Sequence, residues 1–169
     1  MSQRDAYDTI GAILSIHAMI SGFLADATAD IPEERMAEQP GGIVNHPAWT
    51  ISHLNAYSGL MLSMFGDSSV PTVGDEMARF GYGTTPVPNR AAYPSKRELL
   101  ERFRDRNARV SAVVAAKHSD YFPRPAPAPY LAHAPTIGHL AITLLVGHPP
   151  HHLGQLRQWR RTAGIAERS

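Results

Sequence analysis

The 169-residue sequence contains no cysteine. This absence excludes disulfide bonds, thiolate metal ligands and a cysteine nucleophile, so any metal must bind through imidazole or carboxylate groups. The chain also lacks a stripe of clustered Lys and Arg, and its 16 basic and 15 acidic residues nearly balance. Without a basic surface to attract a phosphate backbone, we expect no nucleic-acid partner.

Signals for export and for membrane insertion are missing as well. Residues 1–5 lack the basic and then apolar layout of a secretory signal, and no apolar run approaches the roughly 20 residues that span a bilayer. We therefore expect a cytoplasmic protein with no membrane partner. The length fits a single domain over residues 1–169.

Four segments carry apolar residues at helical spacing and predict helices over residues 7–26, 47–65, 95–117 and 136–163. Asn45 is the expected cap of the second helix, with Pro47 in its first turn. Ser95 and Glu98 form a capping-box pattern for the third helix, and Thr136 is the expected cap of the fourth.

Long connections separate these segments. Residues 66–94 are rich in Gly, Pro, Ser and Thr and predict a long loop, while the proline-rich residues 123–135 predict an extended connection. No strand alternation, nucleotide-type glycine loop or internal repeat is present. The pattern predicts an all-α four-helix bundle with long loops between helices two and three and between helices three and four.

His148 and His152 are four residues apart, so on a helix both imidazoles lie on one face, as metal ligands require. Pro149 and Pro150 lie between them and remove backbone donors. Two outcomes follow from this interruption. Either Pro149 starts a new segment and turns His148 away, so that His151 replaces it or the site is lost, or the helix kinks and the pair still converges.

The remaining histidines have simpler explanations. His17 lies on an apolar face and is expected to be a hydrogen-bonded core residue. His139 is about half a turn out of phase with His148 and should face away from the site. The others lie at helix ends or in loops and are expected to be solvated: His46, His118 and His133.

Residues 45–54 read NHPAWTISHL, and residues 148–155 read HPPHHLGQ. These two segments resemble the N-H-P-x-W-x-x-x-H-L and H-x-x-x-H-x-G-Q motifs of the DinB-like superfamily, which includes YfiT-type proteins. Residues 93–96 and 159–161 also resemble the family. The resemblance covers most of the chain, although the paired prolines depart from the family pattern.

The resemblance implies an up-down-down-up bundle that is often homodimeric. It also implies a divalent metal, zinc or nickel, bound by His53, His148 and His152. Three neutral imidazoles leave coordination positions open for water or substrate. A metal bound in this way lowers the pKa of a coordinated water or thiol, which produces a nucleophile at neutral pH.

Residues around the ligands have candidate supporting roles. Ligating histidines need their second ring nitrogen held, and Gln155 is the candidate for that contact or for a substrate contact. Tyr57, one turn past His53, is a candidate hydrogen-bond donor, with core packing as the alternative. Gly154 is expected to let the fourth helix approach a neighbour closely. Trp49 and Trp159 are expected to pack in the core.

The function expected from these residues is that of a metal-dependent enzyme acting on a small molecule. A thiol-dependent S-transferase is preferred because no acidic residue accompanies either motif on the same face, so metal activation of a low-molecular-weight thiol needs no general base. The alternatives are a metal-dependent hydrolase and a noncatalytic bundle that binds a metal or small ligand. The loop at residues 66–94 is expected to shape substrate access.

Overall fold

The computed structural model describes residues 8–70 and 73–166. Residues 1–5, where no secretory signal is expected, and residue 7, where the first helix is predicted to start, lie outside this part. The described residues form helices, with no strand among them: α1 (Thr9–Ala29), α2 (Pro47–Met64), α3 (Val73–Phe80), α4 (Lys96–Ala115), α5 (Ile137–Ile142) and α6 (His148–Thr162). The predicted all-α class is confirmed.

Two of the predicted helix caps are confirmed. The Ser95 hydroxyl accepts a hydrogen bond from the Glu98 amide, and the Glu98 carboxylate accepts one from the Ser95 amide, which completes a capping box before α4. The Thr136 hydroxyl accepts from the amide of His139 and caps α5. These contacts satisfy backbone donors that have no partner within the helix.

The cap of α2 is His46, so the prediction of Asn45 was wrong. The His46 Nδ1 atom accepts from the Trp49 amide at 3.2 Å, and its Nε2–H donates to the Val87 carbonyl at 3.0 Å. His46 is fully buried, so the prediction that it is solvated was wrong. The bonds to its two ring nitrogens offset the cost of removing them from water. Burial lowers the pKa of His46, because the charged imidazolium is disfavoured away from water.

Residues 66–94 contain a helix, α3, where a continuous loop was predicted. Val73, Met77 and Phe80 recur at helical spacing and pack towards the core, and Phe80 is 8% exposed. A helix of eight residues offers too few turns for this period to stand out among flanking glycines and prolines.

An ion pair attaches α3 to the bundle. The Arg106 guanidinium of α4 binds both carboxylate oxygens of Glu76, at 2.5 and 3.0 Å, and also donates to the carbonyl of Asn55 on α2 at 2.7 Å. The side chains of Arg106 and Glu76 are 8% and 12% exposed. This largely buried pair therefore joins α2, α3 and α4.

The buried apolar residues between the helices form two clusters. α1 contacts α4 and α6, and α2 contacts α3, α4 and α6. A π-helical turn at Thr143–Gly147 joins α5 to α6, so the last two segments run as one helix. Trp159 near its end is fully buried and donates to the Glu38 carbonyl, which agrees with its expected core position.

α1 qualifies, by length and composition alone, as a helix that could cross a membrane. The expectation that no apolar run approaches that length was therefore wrong for this helix. Core helices of soluble proteins and signal sequences near the N-terminus both meet the same criterion, and α1 packs against α4 and α6. Its outer face nevertheless leaves Ile16, Met19 and Phe23 about half exposed, at 45%, 52% and 46%.

Candidate metal centre

His53 projects from the middle of α2 into the interior and is 4% exposed. Its Nδ1 atom lies 2.5 Å from the carbonyl oxygen of Phe80, the last residue of α3. Because a carbonyl oxygen only accepts, Nδ1 carries the proton and Nε2 carries a lone pair. The orientation of His53 is therefore set by a helix that lies 27 residues further along the chain.

His148 and His152 lie in the first turns of α6, which begins without a break. His148 has helical torsions (φ −71°, ψ −49°), and its amide donates to the Thr143 carbonyl, five residues earlier, as in a π-helix. Pro149 and Pro150 follow in the first turn of α6, where a missing amide hydrogen is tolerated. Of the two outcomes considered for the prolines, the structure shows convergence, with a π turn immediately before His148.

The three histidines meet at their Nε2 atoms. His148 Nε2 lies 2.8 Å from His53 Nε2 and 3.0 Å from His152 Nε2. The ligand atoms of all three lie within 4.8 Å of one another, and the cluster contains no carboxylate among the described residues. The structure thus brings together His53, His148 and His152, and leaves His151 exposed outside the cluster.

This convergence suits a cation. His152 Nδ1 lies 2.9 Å from the Gln155 side-chain oxygen, so Nδ1 donates and, as in His53, Nε2 carries a lone pair. If His148 Nε2 carries a proton, it donates to the Nε2 lone pair of either His53 or His152. The lone pair of the other histidine then has no partner. A divalent ion among the three nitrogens satisfies all of them, and imidazole is a preferred ligand of zinc and nickel.

The three imidazoles are neutral at pH 7. Burial lowers the pKa of His53 to about 4, with the hydrogen bond to Phe80 opposing the shift. Burial followed by the charges of the neighbouring histidines lowers the pKa of His148 to about 3, and burial and His53 lower that of His152 to about 3. Neutral imidazole is the form that coordinates a metal.

Gln155 links the cluster to the surface. Its side-chain oxygen accepts from His152 and, at 3.1 Å, from the Asn45 amide group, while its nitrogen donates to His151 Nε2 at 2.9 Å.

Gly154 does not lie close to a neighbouring element, so the prediction that it lets the fourth helix approach a neighbour was wrong. A Cβ added there meets nothing within 4 Å.

Aromatic rings enclose the histidines. Trp49 stacks on His53 with centroids 4.6 Å apart and planes 25° apart. The Tyr57 ring contacts both His53 and His148, at 4.8 and 4.7 Å, and its hydroxyl accepts from the amide of Tyr82 just beyond α3. Tyr57 therefore lies beside the cluster, and the segment after α3 reaches it as well.

Other histidines remain outside the cluster. His17 is buried, as predicted, and its Nδ1 lies 3.1 Å from the Leu145 carbonyl oxygen. The side chain of His139 is exposed and bonds to Thr136, in agreement with its predicted direction, and the remaining two are also exposed: His118 and His133.

Two contacts that support the site were not predicted from the sequence. One is the Phe80 carbonyl, because a backbone atom leaves no residue signature. The other is the pair of Glu76 and Arg106, which stabilises the helix that carries Phe80. The helical spacing of apolar residues in 73–80, with acidic Asp75 and Glu76 in its first turn, is the signal that could have revealed this helix.

Comparison with known families gives one result. The family model of the DinB superfamily matches residues 24–156, which include all three clustered histidines. No significant match was found among curated proteins or among solved structures. The family match spans well over half of the chain and agrees with the helical fold. The chain therefore belongs to the DinB superfamily.

Proposed function

We propose that the protein binds a divalent metal ion, zinc or nickel, through Nε2 of His53, His148 and His152. The observation that carries the proposal is the meeting of three neutral imidazoles, two of which have their outer nitrogen held by an oxygen acceptor. Such outer contacts fix ring orientation and raise the basicity of the ligand. Gln155 provides one of them.

We further propose that the site serves a thiol-dependent transferase. When bound, the metal stabilises a thiolate, and three protein ligands leave a position for it. The cluster contains no carboxylate among the described residues, so a general base for hydrolysis is not part of it. A small-molecule electrophile is the matching substrate class.

Tyr57 is the proposed substrate contact of this site. Its ring lies against His53 and His148, and its hydroxyl is positioned by the amide of Tyr82, whose side chain is 95% exposed. The segment after α3 thus contacts Tyr57 beside the site and is exposed to solvent at Tyr82. A metal-dependent hydrolase and a noncatalytic metal-binding bundle are the alternatives.

Metal analysis of protein purified without a nickel column tests the site. We expect close to one ion per chain in the wild type and loss of the ion in His53→Ala and His152→Ala. His151→Ala is the matched control, because His151 neighbours the cluster but is exposed, and it should retain the ion. A wild-type content below about 0.2 per chain contradicts the proposal.

A panel of low-molecular-weight thiols with electrophilic acceptors then tests the reaction. Transfer that requires both the thiol and the metal supports the transferase. Metal-dependent hydrolysis without any thiol favours the hydrolase, and a loaded protein that is inactive with every pair favours the noncatalytic bundle.

The helix order and assembly are proposals of the same kind. The up-down-down-up order is the one that membership of the DinB superfamily implies, and α1 and α2 both contact α4 and α6. The half-exposed Ile16, Met19 and Phe23 on α1 support a homodimer through that face. Light scattering of the wild type and of Met19→Glu tests the dimer, which the charge should disrupt.

A further inference from the structure

The paired prolines leave the buried carbonyl of Leu145 without a donor in its own helix. The carbonyl of residue i accepts from residue i+4 in an α-helix and from residue i+5 in a π-helix. For Leu145 these residues are Pro149 and Pro150, and neither has an amide hydrogen. Leu145 is 2% exposed, so leaving its carbonyl unpaired is costly.

His17 supplies the missing donor from another helix. Its Nδ1 lies 3.1 Å from the Leu145 oxygen, across 128 residues of sequence, and His17 is 3% exposed. Because the carbonyl only accepts, the proton is on Nδ1. His17 thus does for Leu145 what an amide at position 149 does in an uninterrupted helix.

The bond is made inside the turn that orients the ligands. Leu145 is the middle residue of the π turn at Thr143–Gly147, and His148 follows that turn directly. A π turn takes up one residue more than the α-helical register, and each residue advances the helix by roughly 100°. If the turn changed register, His148 and His152 would rotate relative to α5.

We propose that His17 is a positioning residue for the metal site: by donating to the Leu145 carbonyl it stabilises the π turn that directs His148 and His152 towards His53. This role rests on the proposed metal function. It also explains why His17, which is not one of the clustered histidines, is buried on α1. A cavity of about 10 Å³ is lined by His17, Leu145 and His148.

Two substitutions of His17 separate the donor from the bulk of the ring. The carboxamide nitrogen in His17→Asn occupies nearly the place of Nδ1, whereas the nitrogen in His17→Gln occupies nearly that of Nε2. We expect His17→Asn to bind Co²⁺ close to wild-type affinity, and His17→Gln and His17→Ala to raise its Kd by about tenfold or more, as loss of supporting contacts does in metal sites.

The Co²⁺ absorption spectrum distinguishes positioning from simple destabilisation. Displacement of His148 changes the ligand field, so the spectrum of saturated His17→Gln should differ from wild type while that of His17→Asn should not. Leu24→Ala is the control, because it removes a fully buried side chain of α1 without touching Leu145. It should lower the Tm and leave both the Kd and the spectrum unchanged.

The Pro149→Ala variant gives a second test of the bond between His17 and the Leu145 carbonyl. Pro149→Ala gives the Leu145 carbonyl an amide donor within its helix, so His17→Ala should weaken Co²⁺ binding less in that background than in the wild type. Equal weakening in both backgrounds overturns the proposal, as does equal behaviour of the Asn and Gln variants.

Experiments on the metal-free protein test the positioning role of His17 separately from metal binding. If the wild type binds no metal, the proposed function fails, and crystal structures of metal-free wild type and His17→Gln decide the inference. A changed register at residues 143–147 in the variant supports it. An unchanged π turn, with His148 Nε2 still beside His53 Nε2, overturns it.

Discussion

The two halves of the candidate site are supported in different ways. On α2, His53 is oriented by a backbone carbonyl at the end of α3, a helix joined to the bundle through Glu76 and Arg106. On α6, His148 and His152 follow a π turn and two prolines within one helix, and Gln155 from the same helix holds His152. The first support is distant in sequence, and the second is mostly local.

This difference determines what each half depends on. The α6 half keeps its spacing as long as the helix persists, because His148 and His152 share one helix face. The α2 half keeps its orientation only while α3 stays docked. Changes that release α3 should therefore disturb His53 while leaving the α6 pair in place.

Loss of the Glu76 carboxylate is expected to have the largest effect. Glu76→Ala leaves the Arg106 guanidinium buried without its partner, which typically costs about 3–5 kcal/mol of unfolding free energy. Denaturant unfolding measures this loss, and metal affinity should fall with it as α3 releases the Phe80 carbonyl. Glu101→Ala is the control, since its pair with Arg97 is mostly exposed and contributes little. Equal effects of the two variants would remove the proposed dependence on α3.

Acidification should destabilise the metal-free protein through the histidines of both halves. The folded pKa of each clustered histidine lies below the ordinary 6.5, so the unfolded chain binds more protons as the pH falls. Their contribution to stability is complete above pH 6.5 and is lost down to about pH 4 for His53 and about pH 3 for the α6 pair.

Each such histidine contributes a slope of at most about 1.4 kcal/mol per pH unit. Unfolding free energies between pH 7 and pH 4 should decline less steeply in His53→Gln and in His152→Gln than in the wild type. His118→Gln, which changes an exposed histidine, should decline as the wild type does. Parallel curves for all four proteins would contradict the role of burial in these pKa shifts.

Removal of the Gln155 side chain should weaken only the α6 half. Gln155→Ala frees His152 Nδ1, and loss of such an outer contact typically lowers metal affinity about 10–100-fold. Gln155→Glu keeps an oxygen acceptor and should retain binding. Calorimetric titration with Zn²⁺ compares the two variants, and an alanine variant that binds as tightly as the glutamate variant would rule out this support.

Glycine substitutions give the smallest effect and the closest comparison between the halves. A Cβ at Gly154 on α6 meets nothing within 4 Å, so Gly154→Ala should stabilise the protein by up to about 1 kcal/mol. At Gly59 on α2 the added Cβ lies 3.2 Å from an Arg106 nitrogen and 3.3 Å from a Val70 methyl, so Gly59→Ala should stabilise less or destabilise. Thermal unfolding measures both, and the reverse order would contradict the difference in packing.

The sequence was most informative where the determining contacts are local. The four long helices, the capping box at Ser95 and the cap at Thr136 are confirmed, because each depends on residues within a few positions of one another. The spacing of His148 and His152 belongs to the same class, since one helical turn suffices to place the two side chains together.

Contacts across the bundle could not be anticipated in the same way. The cap by His46 depends on Val87, and the orientation of His53 on Phe80, both far along the chain. The prolines show the limit most clearly. Their loss of donors was foreseen, but the partner of the Leu145 carbonyl lies on α1, and only packing reveals it.

Because Trp49 stacks on His53, the fluorescence of Trp49 responds to changes at the site. The chain has two tryptophans, and the other, Trp159, is fully buried with its indole bonded to the Glu38 carbonyl. Any event that changes the charge or position of the His53 ring therefore alters the surroundings of one fluorophore and not of the other. The intrinsic emission of the unlabelled protein can thus report occupancy of the site in real time.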